Sequence, residues 1–231
     1  MVRKRFSKPD HYLFKAFQIV TRAHIVRTML PSVDGLTIFD IGCGDGSLSL
    51  QFLPEIKRLT LVDLSPAMLS RAESNIPAEY APKVSLTNSD LMQFLPPAPA
   101  DVVLCVGVLA HVESLASAIQ KLASLTKPGG RCVVQISDHD RLLGKVHYAL
   151  AGSRRGTTRN GGYPLLRTGN GELQEIASSV GFRCARRRNH CLTLPGMGRL
   201  PSRWLVAYDK CVLNSSLLSR FAPSSIFLFE R

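Results

Sequence analysis

Between Thr37 and Ser137, short apolar runs alternate with stretches of helical character, and this alternation restricts the fold more than any other feature of the chain. "TIFDIG", "RLTLVDLS", "KVSLTNSD", "PADVVLCVG" and "RCVVQISD" read as strands. "GSLSLQFLPEI", "PAMLSRAESNI" and "SLASAIQKLASLT" read as helices, and "KPGG" as a turn before the fifth strand. Ser65 followed by Pro66 is good helix-start chemistry, an N-cap hydroxyl ahead of a proline at the first helical position. Strands that are apolar almost throughout, separated by helices, imply a parallel sheet covered on both faces. The expected fold is therefore α/β, a doubly wound Rossmann-like sheet with ligands outside the carboxyl ends of its strands.

After Asp140 the alternation stops. "RLLGKVHYALAGSRRGTTRNGGYPLLRTG" is dense in Gly, Ser, Thr, Asn and Arg and reads as a loop-rich insertion after a short helix. A helix "GELQEIASSV" ending at Gly181, a strand "FRCARRRNHCLTL", further helix in "GRLPSRWLVAYDKCVLNSSLLSRFA" and a closing strand "SSIFLFER" complete the expectation. The chain divides into a basic helical cap (1–30), a core (31–140), and an insertion with the C-terminal completion of the same domain (141–231).

Charge follows this division. The 231 residues carry a net charge of +12, unevenly spread. Arg3, Lys4, Arg5, Lys8, Lys15, Arg22 and Arg27 outweigh Asp10 at the start, whereas twelve Asp/Glu face seven Lys/Arg between Pro31 and Asp140. From Arg141 to Arg199 there are eleven Arg/Lys against Glu172 and Glu175. Basic flanks around a mildly acidic centre point to an anionic partner or to a solvated cationic face. Cys43, Cys105, Cys132, Cys184, Cys191 and Cys211 show neither a CxxC pair nor zinc-ligand spacing, so no metal is expected and the thiols read as reduced, in a cytoplasmic protein. No run approaches the roughly 18 to 20 apolar residues of a membrane span. The N-terminus lacks a secretory apolar region and reads either as a basic helix of the domain or as an organellar transit peptide.

The loop in "IFDIGCGDGSLSL" leads from a strand into a helix start, where glycines let backbone approach a ligand. The spacing of Gly42, Gly44 and Gly46 is G-x-G-x-G, with Ser47 where a dinucleotide fingerprint needs a third small residue. Asp40, just ahead of the loop, would repel a pyrophosphate and attract a cationic amino group. That combination argues against NAD.

"FDIGCGDGSLSL" resembles the first motif of class I S-adenosylmethionine-dependent methyltransferases, and the likeness continues along the core. Asp63 in "LTLVDLSPAML" resembles the acidic residue that holds the ribose hydroxyls, and Asp90 in "NSDLMQF" the residue that meets the adenine amino group, with Leu91 beside the ring. "PADVVLCVGVLAHVES" resembles the fourth strand and the segment passing the methionine portion, and "LTKPGGRCVVQIS" the turn and strand that follow. The resemblance implies S-adenosyl-L-methionine as cofactor and S-adenosyl-L-homocysteine as product. It implies contacts from Asp40, Gly42, Cys43, Gly44, Asp63, Leu64, Met68, Asp90, Leu91 and Val106, with Asp40 facing the ammonium.

The acceptor is less constrained. NPPY, DPPY, Pro-Cys and double-glutamate signatures of nucleic-acid and arginine methylation are absent, and aromatics for base stacking are few in the basic flanks. "GVLAHVES" resembles a segment of small-molecule methyltransferases in which a histidine takes the acceptor proton. His111 is thus the first candidate base, or else a residue that fixes a helix start; His139 is the second candidate. Tyr12, His147, Arg154 and Tyr163 are candidate acceptor contacts, Arg154 because a guanidinium grips phosphate or carboxylate. The expected function is O-methylation of a hydroxyl on a small biosynthetic intermediate, anionic or carrier-bound. C- or N-methylation, an RNA-binding methyltransferase and a non-catalytic cofactor-binding subunit stay open, as does the oligomeric state.

Overall fold

The structure is a computed structural model and describes residues 16–137, 166, 168–190, 192 and 201–231. Five strands run in the order expected: β1 (Thr37–Ile41), β2 (Arg58–Asp63), β3 (Val84–Asn88), β4 (Ala100–Cys105) and β5 (Thr126–Ser137). They are joined by β6 (Arg183–His190) and β7 (Ser224–Glu230), and the sheet order is β3-β2-β1-β4-β5-β7-β6. Pairing from β3 to β5 is parallel; β7 runs antiparallel to both β5 and β6 and lies between them. The expected α/β sheet is present, and the C-terminal strands extend the same sheet.

Period-two alternation sends each strand's side chains to two separate cores. Phe39, Val103, Cys132, Val134, Phe227 and Phe229 pack on one face, under α3 (Leu115–Leu125) and α4 (Asn170–Ser179). Ile38, Leu59, Leu61, Val102, Leu104, Val133, Ile226 and Leu228 pack on the other, under α1 (Ala16–Met29) and α2 (Pro66–Ser74). Ser65 caps α2 as its sequence suggests, its side chain accepting from the Met68 N–H. Gly181, with φ +88°, follows the end of α4 and donates to the Ser178 carbonyl. Two further helices, α5 (Ser202–Asn214) and α6 (Ser216–Ser219), precede β7.

Two expectations need correction. The helix expected from Gly46 onward is only a 3₁₀ turn over Leu50–Phe52. Asp45 accepts from both the Ser47 N–H and its hydroxyl, drawing the backbone into a local turn, and Pro54 has no N–H with which to continue a helix. The KPGG turn is absorbed into β5, whose register against β4 shifts between Ala100 and Val102. The β3–β4 connection holds turns rather than a helix, since Pro96, Pro97 and Pro99 remove donors there. It borders the larger cavity, about 650 Å³, along Thr37, Phe39, Arg58, Thr60, Ser85 and Leu95.

Asp101 fastens the amino ends of three strands. Its carboxylate accepts from the Thr37 N–H at 2.8 Å, the Thr37 hydroxyl at 2.6 Å and the Lys127 ammonium at 2.6 Å. Burial pushes this carboxyl up, but Lys127 and Thr37 outweigh it and hold the group at about 2. Its stabilising contribution is therefore present above about pH 4 and lost as the pH falls toward 2. Asp101→Ala should lower unfolding free energy at pH 7 by about 2 kcal/mol in urea titration, and the difference from wild type should shrink at pH 3.

Candidate functional site

The carboxyl ends of β1, β2 and β4 meet at the glycine loop. Gly42, Gly44 and Gly46 all adopt positive φ, at +71°, +58° and +78°. At Gly42 the requirement is steric as well as conformational. A Cβ there would stand 2.2 Å from Cγ2 of Val108, so the segment after β4 lies directly on the loop. The Gly42 and Cys43 N–H groups both donate to the Val62 carbonyl, and the Asn75 amide donates to the Asp45 carbonyl, which ties the loop to β2 and α2.

The Asp63 carboxylate, at the end of β2, is bonded by backbone N–H groups. One carboxylate oxygen accepts from the Gly44 N–H at 2.9 Å and the other from the Ser65 N–H at 2.8 Å. A carboxylate has about four lone-pair sites, so with the Leu64 N–H also bonded about one stays open to a hydroxyl donor. Burial raises the Asp63 proton affinity, and the N–H groups of Ser65, Gly44 and Leu64 oppose that rise.

Asp40 is 3% exposed and points to the α1 side of the sheet, with Oδ2 unpaired among the described residues. Burial pushes its carboxyl up to about 7; the Ser49 hydroxyl opposes the shift, and Asp63 and Asp45 add to it. It lines a small cavity of about 20 Å³ with Ile19, Arg22, Gly42, Cys43, Leu48 and Val106. That is room for about one water. The larger cavity lies along the faces of β1 to β3, with Arg58 and Lys127 in its lining. The smaller one is set apart by its buried, unpaired carboxylate oxygen.

The other candidates divide into three sets. Met68 is buried at the start of α2, and Leu64 supplies an N–H to the Asp63 carboxylate. Asp90 accepts from the Gln93 N–H at 2.9 Å in a local turn, while Leu91 belongs to the core. Cys43 is buried, its thiol 3.6 Å from the Gly44 carbonyl, and burial raises its pKa far out of reach of ionisation at neutral pH. His111 ends a 3₁₀ turn, Leu109–His111, half-buried and three residues beyond the Val108 that covers Gly42. Tyr12, His139, His147, Arg154 and Tyr163 lie outside the described residues. Arg22 and Val108 are brought to the loop by long-range packing and carry no local motif. Among the described residues no group of three His, Cys, Asp or Glu side chains could hold a metal ion, and no helix is long and apolar enough to cross a membrane.

Comparison with known proteins agrees with this geometry. The family described as "Methyltransferase domain" matches residues 39–132, which run from β1 into β5 and enclose the loop, Asp63 and His111. Residues 39–132 thus match a methyltransferase domain. A ubiquinone biosynthesis O-methyltransferase of Xylella fastidiosa is 32% identical over 127 residues, covering 53% of this chain and 49% of that one. An uncharacterised methyltransferase of Mycobacterium tuberculosis is 34% identical over 98 residues, 42% of this chain and 48% of its own. The chain thus spans about half the length of these curated relatives. Among solved structures, magnesium protoporphyrin IX methyltransferase from Synechocystis with bound S-adenosylhomocysteine superposes with a TM-score of 0.64 at 22% identity, over 94% of this chain and 84% of that one. An S-adenosylmethionine-dependent methyltransferase from Mesorhizobium loti gives 0.64 at 20% identity, over 90% and 96%. These two establish that the fold is the Rossmann-like methyltransferase fold.

The contact at Gly42 is directly testable. Gly42→Ala combines left-handed backbone with a clash, whereas Gly35→Ala at φ +67° meets nothing within 4 Å. Gly35→Ala should cost about 1–2 kcal/mol of stability, and Gly42→Ala measurably more, by chemical denaturation of the two variants side by side.

Proposed function

We propose that this chain transfers the methyl group of S-adenosylmethionine to a hydroxyl of a small biosynthetic molecule. The observation that carries the reading is Asp40, a buried carboxylate with an unpaired oxygen beside a glycine loop that can take no side chain at Gly42. A buried acid held near neutral pH is costly to ionise alone and becomes favourable beside a cation. The ammonium of the cofactor's methionine end supplies that cation. Asp63, at the end of β2, keeps acceptor capacity for a ribose hydroxyl beside its backbone bonds, and Asp90 is the candidate for the adenine amino group. The residues present thus fit the cofactor from end to end.

When bound, the cofactor supplies an electrophilic methyl group on a sulfonium. The protein's own part is to align an acceptor oxygen with it, to exclude water and to take up a proton. His111, just after the segment that covers Gly42, is the candidate to receive the acceptor proton. O-methylation is supported by that histidine and by relatives named as ubiquinone biosynthesis O-methyltransferases. Arg154 and its neighbours remain the candidates for gripping an anionic or carrier-bound acceptor.

Calorimetric titration with S-adenosylmethionine tests the cofactor site. Wild type should bind at micromolar Kd, and Asp63→Ala should bind at least tenfold more weakly, about 1.4 kcal/mol. A folded protein that binds no cofactor would overturn the reading.

The Asp40 pKa gives an independent signature. Because its folded value is raised from 3.8 to about 7, ionisation of Asp40 costs the free protein stability as pH rises through that window. Cofactor pairing with the ionised form reverses the cost, so affinity should rise by roughly tenfold between pH 6 and pH 8. In Asp40→Asn the affinity should fall and this pH slope should flatten.

A further inference from the structure

On the α1 side of the sheet, past the Asp40 cavity, lies a second polar group that no motif marks. Gln135 of β5 and His190 of β6 are 4% and 0% exposed, and the Gln135 Nε2 stands 3.4 Å from the His190 Nε2, a long contact. The other end of each side chain, Gln135 Oε1 and His190 Nδ1, is buried with no partner among the described residues. Gly107, at φ +86° just beyond β4, stands between Arg22 and Gln135. A Cβ placed there would be 3.5 Å from Nη1 of Arg22 and 4.0 Å from Gln135 Oε1. Arg22 also lines the Asp40 cavity, and its charge acts on His190. A polar path therefore runs from the proposed methionine end, past Arg22 and Gly107, to Gln135 and His190.

The hydrogen-bond inventory of the pair restricts what it can hold. If the Gln135 amide donates to His190 Nε2, the proton of the neutral ring is on Nδ1, leaving one donor there and one acceptor at Oε1. If the amide is turned over, Nε2–H donates to the amide oxygen, leaving an acceptor at Nδ1 and a donor on the amide nitrogen. Either way the two unpartnered ends of the pair offer one donor site and one acceptor site, beside the amide's further N–H. A carboxylate only accepts and an ammonium only donates, so each satisfies half of the pair. A hydroxyl does both.

We propose that Gln135 and His190, with Arg22 beside them, form the acceptor-anchoring end of the site and hold a hydroxyl group of the acceptor. The assignment rests on the methyltransferase reading above and adds the chemistry of the group bound. Burial and the nearby Arg22 charge keep the His190 ring neutral, with its pKa lowered to about 3. It is therefore a poor base, and the hydroxyl it holds is oriented rather than deprotonated. Leaving a buried donor and acceptor unmatched is expensive, which makes the pair selective against acceptors lacking the hydroxyl.

The test uses the full chain saturated with S-adenosylhomocysteine and titrated calorimetrically with phenol, benzoate or benzylamine. Phenol should bind at least fivefold more tightly than either charged probe. His190→Gln keeps a group able to reach Gln135 but deletes Nδ1; Gln135→Met keeps volume but deletes both polar atoms. Each should weaken phenol at least fivefold and leave S-adenosylhomocysteine affinity within twofold. Phenol bound equally well by wild type and both folded variants would show that a buried water satisfies the pair, and the proposal falls. It falls as well if wild type binds the product but not phenol, if benzoate or benzylamine binds as tightly as phenol, or if both variants lose their fold by circular dichroism. Failure of wild type to bind S-adenosylhomocysteine at all would instead remove the methyltransferase reading on which the proposal rests.

Discussion

The Asp63 carboxylate holds the functional end of the molecule together. Its two oxygens take the N–H of Gly44 and the N–H of Ser65, so one side chain fixes the glycine loop after β1 and the entrance to α2 after β2. Charge-assisted bonds of this kind are roughly twice as strong as neutral ones. They act where the chain has least regular structure, since the segment after the loop makes only a 3₁₀ turn. With the loop held, Gly42 meets Val108, and the segment leading to His111 is set against the end of β1.

The polar interior on the α1 side contrasts with the opposite face. There, Phe39, Phe94, Phe227 and Phe229 pack with α3 and α4 in an apolar core. On the α1 side, Asp40, Gln135 and His190 are buried among aliphatic neighbours at positions where apolar side chains would be more stable. Charge and hydrogen-bonding capacity left unsatisfied inside a fold lower its stability, and here the cost is concentrated at the carboxyl ends of the strands, where doubly wound sheets bind ligands. Stability given up at these positions is recovered when a matching ligand enters.

Much of this fold was legible in the chain because its strands are buried on both faces and stand out as apolar runs. Ser65–Pro66 marked α2, and the glycine spacing with Asp40 and Asp63 marked the loop. The missing helix after Gly46 was harder to read, because Asp45 and Pro54 override the apolar spacing of Leu48, Leu50 and Leu53. Arg22, Val108, Gln135 and His190 could not be assembled from local pattern, since distant elements bring them together. A polar Gln135 at an inward position of "RCVVQIS" was the one visible signal. His190 was hidden at the end of an arginine-rich strand whose charge reads as surface.

The placement of β7 has a consequence for how the chain reaches this state. It lies between β5 and β6, although both precede it in sequence, and pairs antiparallel with each along almost its whole length. Until β7 arrives, β5 presents an open edge and β6 has no neighbour in the sheet. Long-range pairing of this kind closes late and slowly. Gln135 and His190, on the two strands that β7 joins, come together only at that closure. The buried pair they form is thus an outcome of complete folding, and a partly folded chain that already has its glycine loop would still lack it.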